Sequence, residues 1–419
     1  MNKPALSKLV CILFVCVATA IASPAQILTT LHSFKGAPQG DYPNSALVRA
    51  SNGNFYGTTL FGGNSDEGTI FEMTPSGETI TLYSFCSQPN CSDGVEPLAV
   101  VQASDGNFYG TTFYGGTSDD GTVFQMTPSG ALTTLHSFAG YSSDGSHPFA
   151  GLVQASDSNL YGTTWDGGSN NNNDVCVGIT GGCGTIFKIT SSGALTTLYN
   201  FCSQPNCGDG ANPFVGLVQA SDGSFYGTTG HGGANGVGTV FKMTPSGALT
   251  TLYSFCSQLN CSDGDFGNEL VQGSDGNFYG TTTAGGDSNN CSDGCGTVFK
   301  ITPSGALTTL HRFDGSDGAV PTAALVLARD GNFYGTTTDG GAYCPPDNGC
   351  GTVFKITPGG ALTTLYSFTA GSDGYLPNGL VQSSDGNFYG TTAFGGAYGP
   401  GTAFRFVTLR ACVFCPSAE

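Results

Sequence analysis

The chain has 419 residues, with 30 acidic against 12 basic, a formal net charge of −18, and 10% charged beside 11% aromatic residues. That composition excludes a disordered chain, which needs much charge and few aromatics. The acidic surplus excludes nucleic acid and anionic membranes, which Lys and Arg would have to hold; neutral glycans, basic proteins and divalent cations stay compatible.

Residues 1–22 read as a secretory signal peptide. Lys3 and Lys8 give the positive region, residues 9–17 the apolar core, and Ala20-Ile21-Ala22 the cleavage site. The apolar run is too short for a membrane span, and no later stretch is long and apolar enough. Cleavage would bring the net charge near −20. The expected location is outside the cell or on its surface.

A lone strand follows at 27–34 (ILTTLHSF). Then one phrase recurs. Ser-Asp-Gly-Asn-Phe-Tyr-Gly-Thr-Thr stands at 104–112, 274–282 and 384–392, with looser copies at 51–59, 156–164, 221–229 and 329–337. Its tyrosines, from Tyr56 to Tyr389, are spaced by 53, 52, 65, 53, 55 and 55 residues. A repeat of this period marks a propeller or solenoid. The 66 glycines fit many tight turns.

Each repeat carries four short apolar runs rich in Val, Thr, Phe and Tyr, which predict strands. In the fourth these are a (216–220), b (224–229), c (239–243) and d (248–255). Asp-Gly between a and b predicts a two-residue type I′ hairpin. Thr-Pro-Ser-Gly between c and d predicts a type I turn followed by a left-handed Gly. The b–c and d–a connections are longer and vary. The last repeat stops after a c strand, and 27–34 supplies the missing d strand. The chain is therefore expected to be all-β: a seven-bladed β-propeller of four-stranded antiparallel blades over 27–409, closed by its N-terminal strand, with a tail at 410–419.

The unit L-V-Q-x-S-D-G-N-F-Y-G-T-T-x-x-G-G…G-T-V-F-K-I-T-P-S-G-A-L-T-T-L-Y-S-F resembles the GloVer repeat of the choice-of-anchor tandem repeat proteins, over essentially the whole mature chain. The resemblance implies an exported or surface protein of bacteria and implies no reaction. Members often end in a sorting segment; this chain ends Cys412-Val-Phe-Cys415-Pro-Ser-Ala-Glu419.

Outside the signal peptide the cysteines fall into seven close pairs: Cys86/Cys91, Cys176/Cys183, Cys202/Cys207, Cys256/Cys261, Cys291/Cys295, Cys344/Cys350 and Cys412/Cys415. An even count in an exported chain predicts local disulfides. Zinc is the alternative; it needs about four converging ligands, and these pairs are scattered over different repeats.

In a four-stranded meander the b–c and d–a loops share one face, and function tends to sit on loops held by a rigid scaffold. The expected ligand-binding residues precede each Gly-Gly or lie beside it: Phe61, Tyr114, Trp165, Asp166, His231, Asp339 and Phe394. They either stack on a ligand or pack between blades. An Asp recurs in each d–a loop: Asp41, Asp93, Asp144, Asp209, Asp263, Asp317 and Asp373. These seven either ring the channel mouth as a Ca²⁺ site or cap their own loop backbone. His32, His136 and His311 occupy the slot where other d strands have Tyr and read as scaffold.

The function expected is an exported, non-catalytic binding module that takes a glycan or protein ligand on the loop face. No cofactor is expected beyond that candidate Ca²⁺, no catalytic residue is assigned, and the chain is expected to act as a monomer. One alternative is a secreted carbohydrate hydrolase or lyase using loop carboxylates such as Asp66/Glu67, Asp119/Asp120, Asp166 or Asp339. The other is a purely structural surface protein.

Overall fold

The computed structural model describes residues 27–140, 144–170, 175–176, 181–286, 290–344 and 349–408. The signal peptide, the tail and Cys412/Cys415 lie outside the described residues. Seven antiparallel sheets follow one another around a ring, each ordered a-b-c-d from the axis outwards. The fourth blade shows the pattern: Val218–Gln219, Phe225–Thr228, Thr239–Met243 and Leu249–Ser254. Strand a is shorter than expected there, and runs unbroken only in blades two and seven, as Val95–Gln102 and Tyr375–Gln382. One turn of 3₁₀ helix, such as Pro205–Cys207, was not expected in the Cys-Ser-Gln-x-Asn-Cys loops.

The seventh blade is built from both ends of the chain. Tyr375–Gln382, Phe388–Phe394 and Thr402–Val407 are its first three strands, and Ile27–Ser33 is the fourth. Ile27 pairs with Val407 and Ser33 with Thr402. The ring is closed, as the complementary halves in the sequence predict.

The core lies between blades rather than within them. One apolar cluster joins Tyr161, Ile186 and Phe201 of blade three to Leu217, Phe225 and Phe241 of blade four. Strand b explains the arrangement. Successive side chains point to opposite faces, so Phe and Tyr of the repeated phrase face different neighbours. Tyr226 stacks on Phe278 of the next blade at 3.9 Å, and Tyr279 on Phe333 at 4.0 Å. The glycine that follows has a separate cause. A Cβ on Gly227 would lie 2.7 Å from Phe241 Cζ of strand c.

The a–b hairpin differs from expectation. Ala103 N–H donates to Asn107 O, Gly106 N–H donates to Ala103 O, and only Gly106 within the loop takes a positive φ, +85°. This is a three-residue loop, a type I turn closed by a left-handed Gly. The c–d turn at Thr127–Ala131 has the same bonds, with Gly130 at +88°. The three-residue form frees the Asp side chain. Asp105 accepts from Asn107 N–H at 3.0 Å and from Tyr109 O–H at 2.8 Å.

Candidate functional site on the loop face

The d–a aspartates are held by their own loops. Asp209 accepts from Tyr199 O–H (2.7 Å), Ser203 N–H (2.9 Å) and Gln204 N–H (3.1 Å). Asp93, Asp263 and Asp373 make the equivalent bonds. In two blades a histidine replaces the tyrosine: His136 bonds Asp144 at 2.6 Å and His311 bonds Asp317 at 2.7 Å. Six carboxylates thus tie each loop to the outer strand, which turns them away from the channel. Asp41 differs: burial and then Asp66 raise its pKa, against one backbone bond from Tyr42. Among the described residues no three carboxylates converge, so this set does not fit a Ca²⁺ site, which takes six to eight oxygens.

Six cysteine pairs are disulfides, from Cys86–Cys91 to Cys344–Cys350. One feature corrects the idea that all are scattered. The Cys176–Cys183 and Cys202–Cys207 bridges meet, their four sulfurs lying within 4.8 Å of one another. Cys176 and Cys183 of the b–c loop of blade three thus lie against the d–a loop that follows it.

Three residues after each of these aspartates, or directly after Asp41, stands a residue the sequence reading missed. Tyr42, Glu96, His147, Asn212, Phe266, Val320 and Leu376 all have left-handed backbone, with φ of +50° to +60°. The cause is a clamp between blades. His147 N–H donates to Asp120 O of the preceding blade at 2.8 Å, while its carbonyl accepts from Trp165 N–H at 3.0 Å. Asn212 and Val320 do the same with Cys183 and Cys295 behind them. Left-handed backbone costs an L-residue about 1–2 kcal/mol, which glycine avoids. None of the seven is glycine, and no two are alike.

These ring residues meet the residues expected to bind ligand. Tyr114 packs edge-on against His147 at 5.2 Å, and Phe113, half-exposed Trp165 and exposed Phe149 complete the group. Phe394 meets Tyr42 at 4.8 Å and stacks on Tyr375 at 5.4 Å, with exposed Phe61 beside Tyr42. His231 meets Phe266 at 5.3 Å, and burial lowers its pKa. Asp339 is half-buried and its backbone pairs with Ala319. Asp166 is fully buried and does not face outwards. It accepts from Ser146 O–H and from His147 Nδ1, both at 2.8 Å, and so fixes the His147 ring.

The face is acidic. Among the described residues the b–c and d–a loops carry a single basic residue, Lys35. Burial and then Asp66 and Asp119 raise the pKa of Glu67, and burial and then Glu67 raise that of Glu96. At the axis a cavity of about 500 Å³ is lined by strand-a residues of all seven blades, with Phe149, Phe214 and Phe266 towards the loop side.

Fold and site define a closed, disulfide-bearing propeller with a variable, aromatic, acidic face. The profile of the Gloeobacter/Verrucomicrobia repeat matches residues 18–176, 90–291, 175–345 and 267–411, and the chain belongs to that family. No curated protein matches it. Among solved structures it is similar to the extracellular domain of a putative hybrid two component system from B. thetaiotaomicron, at TM-score 0.55 and 11% identity over 92% of this chain. The chain spans 40% of the length of that neighbour. It is also similar to a gluconolactonase from Xanthomonas campestris, at TM-score 0.44 and 11% identity, covering 91% of this chain and 89% of that one. Both likenesses are of fold.

Proposed function

We propose that this protein is an exported, non-catalytic binding module that takes a glycan or protein ligand on its loop face. The observation that carries the reading is the ring of seven left-handed, non-glycine residues. Apart from Asn212, whose Nδ2 also donates to Trp165 O at 2.9 Å, the inter-blade clamp uses their backbone, so glycine would serve it at less cost. Seven different side chains stand there instead, and the first three of them lie among carboxylates or aromatic rings. Strained backbone at variable side chains on a rigid scaffold favours recognition. The exposed or half-exposed rings of Phe61, Tyr114, Phe149, Trp165 and Phe394 suit stacking on sugars or peptide side chains. The six disulfides and the extracellular neighbour support export.

A glycan array and a panel of immobilised proteins, probed with wild type and with Trp165→Ala/Tyr114→Ala, test the reading. Binding without product release, lost in the variant, supports it. Release of reducing sugar ends would instead favour the hydrolase.

A further inference from the structure

The axis of the ring holds one residue out of pattern. Strand a of each blade places an apolar core residue, such as Leu217 or Leu270, after a residue that lines the channel. In six blades that lining residue is Ala46, Ala99, Gly151, Gly216, Ala324 or Gly379. The crowding there is real. A Cβ on Gly379 would lie 2.9 Å from Ala46 Cβ, and one on Gly151 would lie 3.0 Å from Ala99 Cβ. In blade five the same position is Glu269.

Among the described residues no donor and no cation reaches the Glu269 carboxylate, and it lines the cavity beside the space Gly216 leaves open. A Cβ on Gly216 would sit 3.0 Å from Glu269 Oε1. An unpaired carboxylate among Ala, Gly and Phe is costly when ionised. The side chain is half-buried in the channel wall, and desolvation there, with no charged neighbour contributing, pushes its pKa up to about 7. A group kept at such a cost, opposite a glycine that makes room for it, calls for a partner from outside.

We propose that the central channel binds a small organic ammonium ion, the Glu269 carboxylate pairing with the charged nitrogen while the Ala/Gly ring and Phe149, Phe214 and Phe266 receive the apolar body. One carboxylate balances one positive charge. A divalent metal would need several more oxygens, and Glu269 is the one carboxylate among the residues that line the cavity; the nearby amide nitrogens, which could have paired with it, donate elsewhere. Asn268 Nδ2 donates to Thr281 Oγ1 at 3.1 Å and to Pro321 O at 2.6 Å, and Asn378 Nδ2 donates to Pro43 O at 2.8 Å. The cavity of about 500 Å³ is of ordinary small-ligand size. Aromatic rings on its loop side attract cations through their faces. The acidic loop face raises the local concentration of cations before they enter. The inference goes beyond the loop-face reading and stands without it.

Calorimetric titration of the intact protein at pH 8 with phenethylammonium and with its neutral analogue phenethyl alcohol tests the proposal. The ammonium is expected to bind at least tenfold tighter than the alcohol. Glu269→Gln, checked for an unchanged fold by circular dichroism, should erase that preference. Trp165→Ala/Tyr114→Ala should keep it, which separates this site from the loop-face site. The source of the nitrogen is read from a short lysine peptide and its Nε-acetylated form. Binding of the unmodified peptide alone points to a protein side chain; binding of phenethylammonium without either peptide points to a free amine. Equal binding of ammonium and alcohol, no ammonium binding, or binding indifferent to Glu269→Gln would overturn the proposal.

Discussion

Phe55 and Tyr389 stack with ring centroids 4.2 Å apart, joining the first blade to the last. The pair repeats what Tyr56–Phe108 and Tyr334–Phe388 do at internal joints, at 4.1 and 4.3 Å. Phe34, just past the N-terminal strand, adds an edge contact with Phe71 at 5.1 Å. The closing joint is thus made of the same parts as the others. Deleting residues 27–34 removes Phe34 and the outer strand of blade seven together, and bares a strand edge. Aggregation or loss of a single cooperative melt is expected by light scattering and calorimetry. A deletion variant as soluble and as heat-stable as the parent would show that closure is dispensable.

The hairpins give two substitutions of opposite sign. Ser158 holds the left-handed position of the third a–b loop at φ +65°, where the other six blades have Gly. Ser158→Gly should stabilise by about 1 kcal/mol. Gly227→Ala places a methyl 2.7 Å from Phe241 Cζ in a full core, and should destabilise by about 1–3 kcal/mol. Urea midpoints measure both. Two shifts in the same direction would contradict this account of the repeat.

Each disulfide closes a loop of a few residues, so each stiffens one loop without stapling blades. Non-reducing peptide mapping should recover Cys86–Cys91, Cys202–Cys207 and Cys256–Cys261 as intact local bridges. Loop-closure entropy gives on the order of 2 kcal/mol for each such short loop. Stoichiometric zinc with free thiols would be the contrary result.

Glu269 makes stability depend on pH with a defined sign. Its folded pKa lies near 7, above the ordinary 4.5. The folded state therefore favours the protonated acid. Its contribution is fully present below pH 4.5 and is lost as pH rises through 7. The channel admits water, so the loss is about 1–3 kcal/mol rather than the full value of the shift. Urea unfolding at pH 5 and pH 8 should show Glu269→Gln gaining on wild type at pH 8. A difference between the two proteins that does not change with pH would remove Glu269 as its source.

Much of this was legible because the repeat states it seven times. Strand order, closure and the outer-strand role of His136 and His311 follow from comparing copies. His32 departs from that role: it has Thr79 Oγ1 as its near neighbour, and burial and then Lys35 lower its pKa. The a–b turn was misread because Asp-Gly fits both two- and three-residue loops, and the choice rests on hydrogen bonds at both ends. The left-handed ring was hidden because φ leaves no trace where the residues are Val, Leu or Phe. Glu269 did carry a signal. It is the one large side chain in a column of Ala and Gly, visible once strand a is aligned on its core leucine.

Trp165 and Tyr114 put the loop-face reading to its sharpest test. Both are half-buried and lean on Phe113, the first at 6.1 Å and the second at 4.6 Å. Truncating them removes exposed ring surface and some packing together, so affinity and stability must be read side by side. Interface anchors of this kind cost about 2 kcal/mol or more when cut to alanine, and 1.4 kcal/mol is a factor of ten. Trp165→Ala/Tyr114→Ala should therefore weaken ligand binding more than tenfold, with a modest fall in melting temperature. Ser129→Ala and Ser246→Ala serve as controls on the opposite face. Their hydroxyls bond only Thr127 and Thr244 of their own turns, each at 2.9 Å, and binding should not change. A sharp fall in melting temperature with affinity intact would identify the two rings as packing between blades. The loop-face ligand would then have to meet the other aromatic group, around Tyr42, Phe61 and Phe394.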